Sequence, residues 1–424
     1  MVLWRSPWSR RCLLSTPFHP SVRARLRPCV CACAQRVHAY LCAPACAYVC
    51  CQVDRFVRVG QLDDDQAARM IQSLSLHLLV DLNGHTRGGR PRLLALQLAP
   101  SIVQFQGFAD TMGMESVKYM IADRNVAPPE HQGLFQERLV YVDKCYHFYS
   151  ARRNRFQNDG LPVRAEGGGG GGRAEEAEES NGHPRALDRG TDAAASGDAD
   201  GRVNGWTGVL MLDAQVNTDR IEGHMWKIWL RVLSANNRTA LRLRQGQNTR
   251  KEHDLLVNTL GTSAERAGVS RERLHFLRKV KKSEHLERMS ARSDLLLDTD
   301  SYSAHSTALE ALWAGVPVLT FPRQTFASRP PSSFLSALSM TQLVARTQEE
   351  YEAMALRLVS RPRVLKAWRR RLWQQRLEPT GLFDETGMLR SMRTALKMLW
   401  ELALHLDANS SMHVVVGGYR SPSA

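Results

Sequence analysis

Short apolar runs separated by polar turns dominate the chain between about residues 54 and 156. Runs of this kind predict strands that are buried on both faces of a parallel sheet. They lie at 76–82, 102–106, 119–123 and 139–142. An acidic start at Asp63 predicts a helix over 63–73, because carboxylates stabilise helix N-termini. This part of the chain therefore has the pattern of an α/β domain.

A second and more regular alternation begins after Trp206. Strands are predicted at 209–212, 240–243, 274–277, 294–298 and 316–321, with helices at 219–233, 252–267, 283–292 and 306–314. Alternation of this kind implies a parallel, doubly wound sheet. Three later helices, at 348–359, 362–376 and 384–405, are expected to close this second domain.

The stretch 157–205 separates the two parts. It contains six consecutive glycines, Gly167–Gly172, followed by a low-complexity run of Glu, Ala, Asp and Ser. Such a composition buries too little apolar surface to fold. We therefore expect domains at 54–156 and 206–405, a disordered linker at 157–205 and a tail at 406–424.

Residues 1–53 have a composition of their own. They contain no Asp or Glu and seven Arg, which is typical of an organellar transit peptide. Eight of the nine cysteines lie between Cys12 and Cys51. The seven from Cys29 to Cys51 do not repeat as two C-x2-C pairs, and only His38 lies among those seven. We therefore expect no zinc site. The alternative interpretation is translated non-coding sequence from a faulty gene model.

The main body of the chain has no disulfide framework, which fits a reducing compartment. We expect a cytoplasmic or nuclear location, or an organellar one if 1–53 is a genuine transit peptide. The net charge of +15 could indicate a nucleic-acid or membrane partner. No basic run is interleaved with aromatics, however, and no stretch of about 20 apolar residues exists. We therefore predict neither a nucleic-acid partner nor a membrane span.

Candidate chemistry lies in two loops that follow predicted strands of the second domain, where open parallel sheets bind their ligands. After 274–277, Lys282, His285 and Arg288 share one face of a helix start. A cation, an aromatic ring and a planar guanidinium suit a nucleotide. Taken alone, this segment fits a solvated basic face equally well.

The second loop follows the predicted strand at 294–298. His305, Ser306 and Thr307 open the next helix. The free N–H groups and the dipole of a helix start bind anions, and these side chains would add donors. A leaving diphosphate could be stabilised there without a metal, and Glu310, one turn on, could accept hydrogen bonds from ribose hydroxyls.

The run LLLDTDSYSAHSTALEALWAGVPVLTFPRQTFASR (295–329) resembles the donor-site segment of the O-linked N-acetylglucosamine transferase family, which includes the plant SPINDLY-type O-fucosyltransferases. The segments HLLVDLNGHTRGGR (77–90), LAPSIVQFQGFADTMG (98–113) and YMIADRNVAPPEH (119–131) are similar to the N-terminal catalytic half of that family. The resemblance covers about 55–155 and 206–400, in the family's order.

The resemblance implies a GT-B fold of two facing Rossmann-like domains. It also implies inverting, metal-independent transfer of N-acetylglucosamine from UDP-GlcNAc to Ser or Thr of proteins, with no cofactor. An O-fucosyltransferase that uses GDP-fucose is the alternative. In the family, the positions of Lys282, His285 and Arg288 meet ribose and base, and the position of Glu310 holds the ribose. The positions of His305, Ser306 and Thr307 hold the diphosphate, and the donor site also includes those of Val280 and Gly107.

Four features depart from the family pattern. The family has a Gln and a Lys just after the first strand of the second half, and this Lys stabilises the departing phosphate. In an ungapped match, this chain has Ala214 and Asn217 at these two positions. The upstream helical segment of the catalytic half has no match in 1–53, and a Tyr-Pro-Gly-Thr turn reads Phe108-Ala109-Asp110-Thr111. No tetratricopeptide repeats precede the domain. A catalytically impaired nucleotide-binding or scaffold relative therefore stays open as an alternative.

Three further features have simpler interpretations. Asp298-Thr299-Asp300 matches the metal-binding D-x-D of other glycosyltransferases. The family that this chain resembles uses no metal at this position, so we expect none. His85, on a turn, could face the acceptor cleft or pack within the turn. His77, inside an apolar strand, is expected to be a core residue.

Overall fold

The structure is a computed structural model. It describes residues 2–4, 57, 59–147, 208–217, 221–244, 250–278, 280–377, 380–405 and 414–416. The linker at 157–205 and most of the leader lie outside these residues. Within them the chain forms two α/β domains, each built on a sheet whose strands are mainly parallel. This is the architecture that the sequence pattern predicts.

The first domain contains a six-stranded sheet. Its strands, numbered in chain order, are β1 (Val2–Trp4), β2 (Leu78–Asp81), β3 (Ser101–Gln104), β4 (Tyr119–Ala122), β5 (Arg138–Tyr141) and β11 (Val414–Val415). They lie side by side in that order; β1 is antiparallel to β2 and every other pair is parallel. Helices α1 (Asp64–Gln72) and α2 (Pro91–Ala95) pack on one face through a cluster that includes Ile71, Leu79 and Leu93.

The two edge strands of this sheet do not follow from the sequence pattern. It assigns 1–53 to a separate leader and 406–424 to a tail, yet Val2 pairs with Val80 and Val414 pairs with Val140. Two or three residues are too few to show an alternating pattern, so only the partner strand defines such a segment. The helix predicted at 63–73 is confirmed as α1: its N-terminus carries a capping box in which Asp63 Oδ1 accepts from Gln66 N at 2.7 Å.

The second domain contains a five-stranded, wholly parallel sheet. Its strands are β6 (Leu210–Asn217), β7 (Thr239–Arg244), β8 (Leu274–Leu277), β9 (Leu295–Leu297) and β10 (Val318–Leu319). The helices between them are α3 (Gly223–Ala235), α4 (Arg250–Arg266), α5 (Lys282–Arg292) and α6 (Ser306–Trp313). The strand order is β10-β9-β6-β7-β8. The winding therefore reverses between β6 and β9, and in open α/β sheets such a switch point forms the ligand crevice at the carboxyl edge.

Four helices follow the second sheet: α7 (Pro330–Ala337), α8 (Gln348–Ser360), α9 (Pro362–Leu377) and α10 (Glu385–His405). Helix α8 packs on α3 and α9 packs on α6, which closes the second domain as expected. Helix α10 reaches the first domain instead: it contacts β3 and β11, and the Trp400 ring meets the His77 ring edge-on at 6.4 Å. Helical periodicity cannot reveal this return, because it defines a buried face but not its partner.

Polar and aromatic contacts join the two domains. Asp123 Oδ2, in the first domain, accepts from Ser333 Oγ of α7 at 2.6 Å. Arg329 Nε donates to the carbonyl oxygen of Asn125 at 2.6 Å. The Phe326 ring packs against the Tyr146 ring at 5.1 Å. These contacts hold the segment that follows β10 against the first domain.

Candidate donor-nucleotide site

A cavity of about 220 Å³ lies at the carboxyl edge of the second sheet. The ends of β7 and β8 and the starts of α5 and α6 form its wall. It is lined by Arg242, Arg244, Leu277, Arg278, Val280, Lys282, His285, Arg288, Met289, Thr307 and Glu310. Five of these residues are cationic and one is an acid. The two loops that the sequence singles out therefore meet in one pocket.

Glu310 connects the two helices of this pocket. Its carboxylate lies 3.1 Å from Lys282 Nζ and 3.7 Å from His285 Nε2. The Glu310 side chain is only 14% exposed, whereas the Lys282 side chain is 52% exposed. The lysine can therefore turn toward a ligand, while the carboxylate keeps a fixed position from which to accept hydrogen bonds.

His285 is a largely neutral ring at physiological pH. Burial lowers the pKa of His285 below its usual value, and the guanidinium groups of Arg244 and Arg242 lower it further. The carboxylate of Glu310 opposes this shift without reversing it. A neutral imidazole beside apolar Val280 and Met289 offers a flat surface for a sugar or a base.

Arg288 lines the same cavity but has a partner on its own helix. Its Nη2 lies 2.5 Å from Glu284 Oε1, one helical turn earlier. Both side chains are more than 40% exposed, so this pair contributes little to stability. The guanidinium is held at the pocket mouth rather than buried in it.

The start of α6 forms the second wall. The His305 side chain makes no capping hydrogen bond to this helix; its Nε2 lies 2.9 Å from the Ala327 carbonyl oxygen. Its ring stacks on Tyr302 with centroids 4.9 Å apart. Ser306 is exposed and Thr307 lines the cavity. A helix start with Ser306 and Thr307 in its first turn is the kind of site at which helices bind anions.

Asp298 anchors the loop between β9 and α6. It is fully buried, and its two oxygens accept from Ala304 N and from Thr320 Oγ1, each at 2.7 Å. Both carboxylate oxygens of Asp298 therefore accept hydrogen bonds from the protein itself. The first Asp of the D-x-D pattern thus has a structural role in this loop. Burial raises the pKa of Asp298 to about 7, although these hydrogen bonds lower it.

The raised pKa of Asp298 predicts a pH dependence of stability. The folded-state pKa lies above the unfolded value of 3.8, so the folded state binds more protons between about pH 4 and 7 and stability falls as pH rises through that window. Replacing Asp298→Asn should remove roughly 2–3 kcal/mol of the difference in unfolding free energy between pH 5 and pH 8. Urea unfolding at both pH values measures this difference. Asp65→Asn, at an exposed carboxylate, is the control and should leave the difference unchanged. An unchanged pH difference in Asp298→Asn contradicts the assignment.

Other predicted site residues lie elsewhere. Gly107 is in the first domain, in a turn with φ +56°, where an added Cβ would collide with the Leu82 carbonyl oxygen. It permits a close turn and does not line the cavity. Asn217 ends β6 at the carboxyl edge, after a register shift against β7 that begins at Ala214. The structure describes the backbone of Asn217 and not its side chain.

The two histidines of the first domain that the sequence analysis discusses, His77 and His85, make packing contacts. His85 Nε2 lies 3.0 Å from the Met112 carbonyl oxygen and its ring meets Phe108 edge-on at 5.2 Å, which fits packing within the turn. His77 lies just before β2, is half-buried and packs against Trp400, so it is a packing residue at the margin of the core and not a fully buried strand residue.

Sequence reasoning missed the arginines of β7. Arg242 and Arg244 point to the same side of the strand and line the cavity, together with Arg278 after β8. Arg242 is buried and forms a bidentate pair with buried Asp213, at 2.6 and 2.7 Å. The available signal was two arginines at alternate positions of an otherwise apolar strand, which is unusual for a buried parallel strand.

Two facing α/β domains with parallel sheets, and a cationic cavity at the carboxyl edge of the second, define a GT-B glycosyltransferase. The profile of glycosyl transferase family 41 matches residues 46–158 and 217–392, well over half of the chain. The chain belongs to this family.

Named relatives agree with this membership. A probable UDP-N-acetylglucosamine–peptide N-acetylglucosaminyltransferase SEC of Arabidopsis thaliana is 26% identical over 366 residues, covering 86% of this chain and 33% of the relative. A UDP-N-acetylglucosamine–peptide N-acetylglucosaminyltransferase of Caenorhabditis elegans is 24% identical, covering 82% and 36%. A solved structure of a point mutant of the Thermobaculum terrenum O-GlcNAc transferase superposes with a TM-score of 0.65 at 26% identity, covering 84% of this chain and 59% of that one. The chain thus spans about a third of the length of the curated relatives.

Within the part of the chain that the structure describes, no helix combines the length and apolar composition needed to cross a bilayer.

Proposed function

We propose that this chain binds UDP-N-acetylglucosamine and transfers the sugar to Ser or Thr hydroxyls of proteins, with inversion at the anomeric carbon. The observation that carries the proposal is the cavity in which Lys282, His285 and Glu310 meet the start of α6. The relatives named above are peptide transferases that use UDP-N-acetylglucosamine, which favours this donor over GDP-fucose.

Each side chain has a role that its geometry supports. Glu310, fixed and largely buried, accepts hydrogen bonds from ribose hydroxyls, and Lys282 contributes a positive charge beside it. The amides of the α6 start, with Ser306 and Thr307, donate to the diphosphate. As the acceptor hydroxyl attacks the anomeric carbon, the bond to the diphosphate breaks and UDP leaves. Donors that are already in place stabilise the charge that develops on it.

The donor site predicts weaker nucleotide binding in two variants. Lys282→Ala and His305→Ala should each weaken UDP binding by about 1–3 kcal/mol, or roughly 5- to 150-fold, because each loses a polar interaction with the ligand. Isothermal titration calorimetry of the full chain with UDP and with GDP measures this effect and the base preference together.

Lys397→Ala provides the matched control for this experiment. Lys397 is an exposed lysine of α10 that pairs with Glu401 at 3.6 Å, far along the chain from the cavity. It should bind UDP as the wild type does. Wild-type affinity in both site variants would place the nucleotide elsewhere and defeat the proposal.

A second candidate function is a nucleotide-binding relative that transfers sugar slowly. The observation in its favour is Asn217, which stands where the family has a lysine in the ungapped match. This candidate predicts UDP binding without robust turnover, so calorimetry together with a transfer assay separates the two.

A further inference from the structure

A second cavity, of about 530 Å³, lies at the amino edge of the first sheet. Its lining includes one residue from the start of each of four strands: Leu76 just before β2, Ser101 in β3, Tyr119 in β4 and Arg138 in β5. Open α/β sheets bind their usual ligands beyond the opposite, carboxyl ends of the strands. The donor cavity described above lies at the carboxyl edge of the second sheet, so the two cavities occupy different places in the fold.

Two cations lie side by side in this cavity. Arg138 N donates to the Lys118 carbonyl oxygen at 2.9 Å, so the two residues are neighbours across β4 and β5. The described residues that line the cavity include no Asp or Glu, and neither cation forms an ion pair within the described part of the chain. Glu137 uses both carboxylate oxygens on Thr111 Oγ1 and Met112 N, at 2.7 Å each. The cavity therefore carries two positive charges without a counter-charge from its lining.

A buried hydroxyl adds a donor to the two cations. Ser116 lines the cavity and is 8% exposed. Among the described residues, its Oγ has no hydrogen-bond partner. Buried polar atoms nearly always have such a partner, and an exception needs an explanation. A ligand with anionic oxygens would accept from this hydroxyl and pair with both cations.

Two loops place further polar side chains at the cavity in a conformation that favours glycine. Ser75, after α1, has a φ of +46°, and Gln97, after α2, has a φ of +48°. Both residues line the cavity. Glycine adopts this left-handed conformation without the steric cost of a Cβ atom. Each loop therefore has a polar side chain where glycine would be less strained, and strain of this kind is concentrated at ligand sites.

The remaining wall of the cavity is largely apolar and comes from two parts of the chain. Leu76 and Leu98 are buried residues of the first domain, whereas Leu402 and Ala403 belong to α10, which follows the second domain. Small-molecule sites typically have volumes of about 300–1,000 Å³ and combine an apolar lining with a few polar groups. The cavity therefore has the size for an organic molecule, with a charged end and an apolar end.

We propose that this cavity binds a small organic phosphate. Lys118, Arg138 and Ser116 hold the phosphate group, because a guanidinium, an ammonium and a hydroxyl all donate to phosphate oxygens. The apolar body of the ligand lies against Leu98 and Leu402. Since α10 forms part of the wall, the ligand contacts both the first domain and this helix and stabilises their packing. None of the described residues lines both cavities, so this proposal does not depend on the proposed function.

Isothermal titration calorimetry of the full chain with phenyl phosphate tests the site, with saturating UDP present to occupy the donor cavity. One phenyl phosphate should bind per chain. Inorganic phosphate should bind more weakly because it lacks the apolar body, and phenol should show no measurable binding because it lacks the charge. Inorganic phosphate that binds as tightly as phenyl phosphate would exclude an organic ligand and overturn the proposal.

Three variants of the charged end should weaken phenyl phosphate binding. Lys118→Gln and Arg138→Gln should each weaken it about tenfold or more, because each removes a charge-assisted hydrogen bond. Ser116→Ala should weaken it about threefold or more. This third variant should fold as the wild type does, because Ser116 Oγ loses no hydrogen bond within the described residues. Circular dichroism checks the fold, and Ser116→Ala keeps the test decisive if a charge variant is misfolded.

Arg92→Gln and Lys227→Gln are the matched controls. Arg92 is an exposed residue of α2 and Lys227 an exposed residue of α3, and neither lines the cavity. Both should bind phenyl phosphate as the wild type does. A wild type that binds no phenyl phosphate, or undiminished binding in all three site variants, overturns the proposal.

A separate arm distinguishes this site from the donor cavity. Lys282→Ala should bind phenyl phosphate with wild-type affinity, with or without UDP, because Lys282 lines only the donor cavity. Loss of phenyl phosphate binding in this variant would place the anion in the donor cavity and reject the second site. Phenyl phosphate binding that depends on Lys118 and Arg138 in a chain that binds no UDP would support the second site and reject the proposed function.

Discussion

Asp213→Ala is expected to lower the free energy of unfolding by about 3–5 kcal/mol. Asp213 is fully buried on β6 and forms a bidentate pair with Arg242, which is 5% exposed. Ser293 Oγ contacts both side chains. Removing the carboxylate leaves a guanidinium buried without its counter-charge, and that desolvation cost, rather than the lost attraction, dominates the effect. Urea unfolding followed by tryptophan fluorescence measures it, since Trp226 and Trp229 lie in the same domain.

An exposed pair of the same chemistry provides the control. Arg231 Nε lies 2.5 Å from Glu352 Oε1, with the arginine side chain 52% exposed. Glu352→Ala should cost less than about 1 kcal/mol, because water solvates the arginine that remains. Adding Arg242→Leu to Asp213→Ala should recover part of the loss, because no unpaired charge is then buried. If Asp213→Ala lowered the free energy of unfolding as little as Glu352→Ala does, the Asp213–Arg242 pair would be accessible to water.

Asn217→Lys is expected to raise the rate of sugar transfer from UDP-N-acetylglucosamine at least tenfold. The backbone of residue 217 ends β6 at the carboxyl edge of the sheet, beside the switch point. A lysine there would stabilise the charge on the departing diphosphate, whereas asparagine offers only a neutral amide. Loss of one such interaction commonly costs roughly 3 kcal/mol, or about a hundredfold in rate.

A transfer assay with UDP-N-acetylglucosamine as the donor measures this rate. Asn217→Gln, which adds length without charge, should show no gain. Arg220→Ala tests whether Arg220 already substitutes for the lysine, as it would if the family alignment shifts by three residues. Robust wild-type turnover with no gain in Asn217→Lys would contradict the electrostatic argument.

The family resemblance and the local sequence pattern place the candidate donor site in the same two loops, and there is a physical reason for this agreement. A helix start after a buried strand is a local feature: His305, Ser306 and Thr307 open α6 because the apolar run before them ends and the helical period begins after them. The same holds for Lys282 and His285 at the start of α5. Residues whose role depends on a helix terminus can therefore be predicted from sequence, since the terminus itself is encoded within a few positions.

The sequence by itself predicted the strands β2 to β10, the helix α1, the helices α3 to α6 between the strands of the second sheet and the two loops of the candidate donor site, but not the helices α2 and α7. These follow from periodicity and from residues that are neighbours in the chain. Only the tertiary structure decided that Arg242 pairs with Asp213, that 2–4 and 414–416 extend the first sheet, that α10 returns to the first domain and that His224 meets Asp300. Each of these depends on which strands lie side by side or which faces pack together. Such long-range contacts depend on the energy of the whole chain. The periodicity of one segment does not indicate which other segment packs against it.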